Sequence, residues 1–555
     1  MAEASIPPPL SNLLTAPDSD ESAEEKINLW LKNAKGIVAL VNEEPAVAIA
    51  TISISSTLPF QLSHLISIAI FGKLNHFNDH YLQHIIAAVY ATNYLANTKA
   101  QTSCKKAITQ FLRSKGLLLW LDIVRLQRVL FTTKSSHALS HIKLNSAQRL
   151  CVLASVVSSC KQEHRSAVFL RCIRLIPTHQ RNLVKPLIEL FERPLPGAKV
   201  YANGMPATVI DIKQGHSFVY IQTAKNTKEK RGAQVKNSSS KISEPQNTWI
   251  ENASIRAPIA QHIEFDEFIA VYYKTAADRV ATGGQGFFPS TYGVQKPPTP
   301  LLHIIDELQK RDIDIPSLCE KIERVPSFNN FLVYTASQDN RLKLPVKSIK
   351  QAVLTYGTER VGDMLIQFAL MERLTQHKYP LVETCKHFTL LASAFASKLS
   401  SLTKTKFSPQ SAALTMTFVC SPLFTQPELK VMTRLQIREK AKFSINTTFK
   451  IASSSTWLSI AGELSGNWHQ SSTWRALLHH CNKTNDKVPK SLRKEHAIIL
   501  SAFYLAKICL FNDYNALKGV DKEVAPWLSV LSLSPLDLSR IIDEHREQFY
   551  CPLPH

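Results

Sequence analysis

Near Pro196 the spacing of apolar residues changes, and the change limits the architectures open to this chain. Upstream, "HYLQHIIAAVYATNYLA" places Leu82, Ile85, Ile86, Val89, Tyr90 and Leu95 at helical intervals. "SAQRLCVLASVVSSC" and "LVKPLIELFERPLPG" continue that pattern. Then "PGAKVYANGMPATVIDIKQGHSFVYIQT" runs in short, β-branched, punctuated stretches. Asn203-Gly204 marks a two-residue hairpin, since both central residues of a type I′ turn need positive φ. Gly215 suits a second hairpin. From 299 to 549 the text is helical again, and its last element opens with Ser534-Pro535, an N-cap followed by proline at N1. Glycine, at 16 of 555 residues, is under half its usual share of about 7%, which favours helices over tight hairpins. The expectation is a mainly α protein: two helical bundles with a small β module, about 197–256, between them.

At roughly 100–200 residues per domain, this length predicts about three domains. Residues 1–25 read as a disordered acidic tail, 26–196 as a helical domain, 197–256 as the β module, 257–298 as a helix and linker, and 299–549 as a second helical domain. The β module includes "KNTKEKRGAQVKNSSSK", an exposed stretch where Lys225, Lys228, Lys230, Arg231, Lys236 and Lys241 face a single Glu229. It reads as a solvated linker or as an anion-binding loop. Gly283-Gly284-Gln285-Gly286 lacks the Lys-Ser/Thr ending of a phosphate loop and follows no clear strand, so it reads as linker.

The net charge of +21 is uneven. Residues 1–25 hold Glu3, Asp18, Asp20, Glu21, Glu24 and Glu25 and no Lys or Arg, a charge of −6 that leaves +27 on the rest. A basic body attracts nucleic acid, nucleotides or anionic lipid, although the basic residues are spread rather than massed. The ten cysteines form no C-x-x-C pair and lie among apolar residues, as buried free thiols do. With no signal peptide in the proline-bearing start, they point to the cytoplasm. No stretch of about 18 apolar residues is uninterrupted, so no membrane span is expected.

"LKLPVKSIKQAVLTYGTERVGDMLIQFAL", 342–370, uses one of the few glycines between two apolar-striped segments. Ser348 suits the N-cap of a helix burying Ile349, Ala352, Val353 and Tyr356. Gly357 then suits a left-handed C′ position, and Thr358 the cap of the next helix, burying Val361, Met364, Leu365 and Phe368. In order, Pro326, the corner Ala336-Ser337-Gln338-Asp339-Asn340, and Val346, Ser348, Ile349, Ala352, Val353, Tyr356 and Gly357 resemble the HDOD domain, a bacterial signalling module. The family's usual leucine before the glycine is Tyr356 here. "CKHFTLLASAFASKLSSL", "GELSGNWHQSSTWRALLHHCNKT" and "EHAIILSAFYLAKICLF" extend the resemblance over roughly 250 residues. It implies a helical bundle related to HD phosphohydrolases, with His387 at the position of their first metal histidine and His469, His479 and His480 in a later segment.

HD phosphohydrolases need an adjacent His-Asp pair on one helix to chelate a divalent metal that activates water. None of the nineteen histidines here precedes an aspartate. The corresponding segment reads "ALTMTFVCSPLF", with Phe418, Val419 and Cys420 where the pair belongs, and an apolar stretch cannot chelate a hard cation. The N-terminal half carries a fainter echo of an HD-GYP domain. His84 lies on a helix of the first-histidine type, and Pro196, Gly197, Val200, Asn203, Gly204, Ala207 and Val209 match the closing β phrase. No His-Asp pair or Gly-Tyr-Pro triplet accompanies them, which suggests a degenerate second HD-like bundle; the alternative is an unrelated helical domain with a small β barrel.

The resemblance therefore implies a non-enzymatic, cytoplasmic regulatory protein of bacterial signal transduction. It would be a scaffold for a partner protein or a nucleotide second messenger, with no cofactor and no metal. The alternatives are a metal-dependent phosphodiesterase acting on a cyclic dinucleotide and a nucleic-acid-binding regulator. A ligand pocket would lie near His387, Trp468, His469, His479 and His480, while Asn340, Ser348, Ile349, Ala352 and Gly357 serve structure. Lys225, Lys228, Lys230 and Arg231 are the anion-binding candidates.

Overall fold

The computed structural model describes residues 10, 13, 15, 17–18, 21–54, 59–97, 102–126, 144–159, 165–176, 178–213, 215–221, 247–256, 262–280, 286–339, 344–435, 449, 457–511 and 524–546. The candidates Asn340, Lys225, Lys228, Lys230 and Arg231 lie outside these residues. The chain divides into two units, Met1–Ser290 and Thr291–His555. As expected, it is mainly helical with one small antiparallel sheet.

In the first unit the helices are α1 (Ala23–Glu43), α2 (Pro45–Ser53), α3 (Phe60–Leu74), α4 (Asp79–Asn97), α5 (Thr102–Ser114), α6 (Leu118–Val124), α7 (Ser146–Ser159), α8 (Arg165–Leu175) and α9 (Lys185–Phe191). A capping box starts α1: the Glu25 N–H donates to Ser22 Oγ at 3.2 Å while the Ser22 N–H donates to Glu25 Oε2 at 2.8 Å. Helix α3 is apolar nearly all round and sits at the centre of the bundle against α1, α4 and α7. Its two polar contacts to α7 are His64 Nε2, 2.9 Å from the Cys151 carbonyl, and Ser67 Oγ, 3.1 Å from Ser158 Oγ. Within the stretch read as a tail, Leu10 is buried, and the Thr15 carbonyl accepts from Asn33 Nδ2 at 3.1 Å.

The sheet has strands β1 (Lys199–Ala202), β2 (Met205–Lys213), β3 (His216–Ile221), β4 (Thr248–Glu251) and β5 (Ile255–Arg256), in the order β4-β3-β2-β1-β5. Asn203 and Gly204 turn the β1–β2 hairpin with φ of 51° and 79°, the pair of positive values that a type I′ turn demands. Helices α10 (Phe265–Lys274) and α11 (Ala276–Val280) follow. Arg279 ties them back to β2, with NH1 3.2 Å from Asp211 Oδ2 and its guanidinium 3.6 Å from the Tyr272 ring centre. The Tyr273 hydroxyl donates to Glu44 at 3.0 Å, linking α10 to the α1–α2 corner.

The second unit begins with α12 (Thr299–Leu308), α13 (Ile315–Glu323), α14 (Pro326–Asp339), α15 (Ile349–Tyr356) and α16 (Thr358–Leu374). Helix α13 packs on α12, α14 and α15. The buried carboxylate of Glu307 joins α12 to α13, accepting from Lys310 Nζ at 2.9 Å and also from Lys321 Nζ. Those two ammonium groups hold its carboxyl below the usual range, Lys321 first. The remaining helices are α17 (Val382–Leu402), α18 (Pro409–Cys420), α19 (Pro422–Thr425), α20 (Pro427–Val431), α21 (Trp457–Asn467), α22 (Ser472–His480), α23 (Arg493–Phe511), α24 (Ala525–Leu531) and α25 (Pro535–Arg546). Helix α17 packs between α18 and α23, and α16 and α21 cover α18. Phe388 on α17 lies edge-on to Phe449 and Phe503, at 5.4 and 5.3 Å.

The α15–α16 corner follows its sequence reading with two differences. Ser348 caps α15, its Oγ accepting from the Gln351 N–H at 3.3 Å, and Ile349, Ala352, Val353 and Tyr356 are buried. Gly357 has positive φ, but its ψ of 157° is extended, so it occupies a region open essentially to glycine alone rather than the left-handed helical well. Thr358 does not cap α16. Gly357 is itself the N-cap residue, because the chain enters the helix directly from this extended ψ. The preceding corner is held by side chains: Ser337 Oγ accepts from the Val346 N–H at 2.8 Å, and the Tyr356 hydroxyl donates to Asp339 Oδ2 at 2.7 Å.

Among the described residues no disulfide joins the cysteines, and six of them are buried: Cys151, Cys172, Cys319, Cys385, Cys420 and Cys481. No single helix among them is long and apolar enough to cross a membrane.

Candidate functional site

The resemblance to HD phosphohydrolases would put their metal pair at the C-terminal end of α18. Phe418, Val419 and Cys420 there are fully buried. Three side chains bond main-chain carbonyls at this helix end and in α19. The Trp457 indole N–H donates to the Val419 carbonyl at 2.7 Å, Ser421 Oγ donates to the Phe418 carbonyl at 2.8 Å, and the Tyr379 hydroxyl donates to the Leu423 carbonyl at 3.3 Å. Burial pushes the Cys420 thiol up to about 12, so the sulfur stays protonated, and it packs 3.9 Å from the Met416 sulfur. A neutral thiol preceded by Phe418 and Val419 offers no ligand to a divalent ion, so these residues do not fit the metal that the HD resemblance implies. Among the described residues, no group of three His, Cys, Asp or Glu side chains gathers in a metal-binding arrangement.

The polar atoms of this bundle lie elsewhere, on the seam between α16 and α18. Gln367 Nε2 donates to Thr417 Oγ1 at 3.0 Å, and Ser393 Oγ of α17 lies 3.0 Å from the same oxygen. About one turn away along α16, Asp363 accepts from Ser411 Oγ at 2.5 Å. Burial raises the Asp363 carboxyl to about 6, against the lowering effect of the Ser411 bond.

The histidine and tryptophan candidates lie on separate pieces of chain: on α17, just after α21 and at the end of α22. His387 lies half-buried on α17 with no hydrogen-bond partner for Nδ1. Trp468 is buried at the end of α21, where its indole N–H donates to the Val294 carbonyl at 2.9 Å. Its role is to hold a strap, residues 292–295. The same strap is gripped by Gln376, which accepts from the Tyr292 N–H at 2.9 Å and donates to the Tyr292 carbonyl at 2.7 Å. Arg373 NH1 donates to the Gly293 carbonyl at 2.7 Å, and Asn467 Nδ2 to Gln295 Oε1 at 3.1 Å. His469, next to Trp468, is exposed and turns the chain with φ of 57°.

His479 and His480 stay together at the end of α22, their rings 5.8 Å apart, His479 exposed and His480 half-buried. Partial burial and the charges of Lys483 and His479 lower the His480 imidazole below its ordinary value. The sequence reading passed over His496 on α23. It is fully buried, with Nε2 3.1 Å from the His480 carbonyl, and burial lowers it to about 4. Only its place at the head of the apolar run in "EHAIIL" marked it as a packing group. Among the described residues, no hydrogen bond or ring contact joins His387 or Trp468 to this histidine group. In the first unit His84 accepts from the Trp120 indole N–H at 3.1 Å, and burial lowers it to about 3.

Comparison with solved structures finds an HDOD domain protein with unknown function from Geobacter sulfurreducens, at 13% identity and a TM-score of 0.33, covering 51% of this chain and 97% of that one. It also finds the MmoQ response regulator from Methylococcus capsulatus str. Bath, at 15% identity and a TM-score of 0.25, covering 45% of this chain and 97% of that one. No protein-family model matches the chain. No curated protein matches it.

Proposed function

We propose that this chain is a non-catalytic regulatory protein of bacterial signal transduction, which binds a partner protein or a nucleotide second messenger. The observation that carries this reading is the end of α18. Where catalysis needs two metal ligands, the bundle has Phe418, Val419 and Cys420 packed to closure, with the Trp457 indole on the Val419 carbonyl. The ordered HDOD-like corner at Ser337, Ser348 and Gly357 supports the same reading. In a binding role, His479 offers an exposed imidazole and His480 a half-buried one, whereas the Trp468 N–H is already committed to the strap.

The test is turnover of a cyclic dinucleotide by the full chain with Mn2+ or Fe2+ present, compared with metal in buffer. The expected result is no excess turnover. Hydrolysis that disappears in His387→Ala would overturn the reading and restore a metal-dependent phosphodiesterase.

A further inference from the structure

We infer that the second unit carries a built, sequence-independent binding surface for the phosphate backbone of double-stranded nucleic acid, centred on Lys404, Lys406, Lys487, Lys490 and Lys494. The surface is assembled from three pieces of chain. The loop after α17 brings Lys404 and Lys406, the turns after α22 bring Lys487 and Lys490, and the first turn of α23 brings Lys494; all five are exposed. Lys494 Nζ lies 3.4 Å from the Lys404 carbonyl, which places the first and third pieces side by side. The Phe407 ring packs 4.3 Å from the Trp474 ring, fixing the loop to α22. Arg493 pins the turns, its Nε donating to the Val488 carbonyl and its NH2 to the Asp486 carbonyl, each at 3.1 Å. The lysines therefore ride on a fixed support.

Their charges are not paired in salt bridges, although Asp486 lies next to Lys487 and feels its charge. No carboxylate among the described residues lies within ion-pair distance of these five lysines. Between Ser472 and His496 there are six Lys and Arg against Asp486 and Glu495, and Glu495 is buried. The acidic N-terminal stretch is not a ready occupant, since Glu25 is used in the α1 capping box and Glu24 sits 3.8 Å from Lys115.

The chemistry selects among polyanions. Leu402 is the one large apolar side chain exposed beside the lysines, too little for a bilayer, where anchoring scales with buried apolar area. A protein partner needs an aromatic or apolar centre, and Trp474 is packed against Phe407. Lysines on turns and a helix start, acting as point charges, suit a phosphodiester backbone, which carries no sequence information.

The test uses the full chain and a labelled 20-base-pair DNA duplex, with anisotropy read between 50 and 200 mM salt. Each phosphate contact contributes a slope of about −0.9 in log K against log salt. Replacing Lys404, Lys490 and Lys494 together by Gln is therefore expected to weaken binding at least about tenfold at low salt and to flatten the slope by roughly 2.7. A control removes the same charge from the first unit, at Lys32, Lys35 and Lys106, and is expected to weaken binding by less than about threefold. Equal losses in the two triple variants overturn the proposal. So does wild-type protein that ignores the duplex, whether or not it binds vesicles containing phosphatidylserine. If the triple variant loses its native circular dichroism, the single change Lys490→Glu, at an exposed turn, carries the same comparison.

Discussion

Replacing Gly357 by alanine isolates a pure backbone effect. A Cβ built at Gly357 meets no atom within 4 Å, so the substitution creates no clash. With φ of 79° and ψ of 157°, however, an L-residue is forced into a conformation costing of order 1–3 kcal/mol. Alanine also stiffens the unfolded chain, which returns about 0.4–1 kcal/mol, so a net loss of about 1–2 kcal/mol is expected. Gly462, inside α21, is the matched control. It too has open space around a Cβ, but its φ is not positive, so Gly462→Ala should stabilise by about 0.5–1 kcal/mol. Hydrogen exchange of peptides covering 349–374 reads the first change locally, with opening expected to rise about five- to thirtyfold in Gly357→Ala. Urea midpoints compare both variants with wild type. If Gly357→Ala proves neutral or stabilising, the corner does not have the geometry described and the argument fails.

Three further outcomes are expected. Trp457→Phe should lower stability by about 1–3 kcal/mol, because it leaves the buried Val419 carbonyl without a donor; an unchanged urea midpoint would contradict this. Asp363→Asn should stabilise the chain by about 1–3 kcal/mol above pH 6 and leave it unchanged below about pH 4. The sign follows from a folded carboxyl raised to about 6: the folded state holds its proton where the unfolded state has lost it, so wild-type stability falls as pH rises from 3.8 to 6. His64 is lowered to about 4, so the unfolded state takes up a proton between pH 6.5 and 4 that the folded state refuses. Stability should drop by on the order of 3 kcal/mol across that window, and His64→Gln should show a visibly shallower dependence in unfolding curves measured at pH 4.5 and 7.

Local features were readable from the sequence because local physics fixes them. The Asn203-Gly204 turn, the Ser348 cap and the buried stripe of α15 each depend on residues within a turn or two. Gly357 was legible as a positive-φ position, but its ψ was not, since glycine reveals permission and not the angle used. The site was less legible. Trp468 looked like a ligand-stacking residue, yet its indole is spent on Val294, 174 positions earlier. Such a bond between a side chain and a distant main-chain carbonyl leaves no pattern in composition or spacing. The lysine surface was hidden for the same reason: Lys404 and Lys494 are 90 positions apart, so charges that look scattered along the chain are massed in space.

The strap at 292–295 has a consequence for how this region tolerates change. Gln376 uses its amide as a surrogate peptide group, pairing with both the N–H and the carbonyl of Tyr292, as a neighbouring strand would. Arg373 and Trp468 likewise grasp carbonyls. Three of the four clasps hold the polymer's skeleton, and only at Tyr292, whose ring lies 5.1 Å from the Arg373 guanidinium, does one of them also read a side chain. Spelling at Gly293 and Val294 can therefore drift while the segment keeps its place, whereas position 292 favours an aromatic ring and forbids proline, which has no N–H to offer.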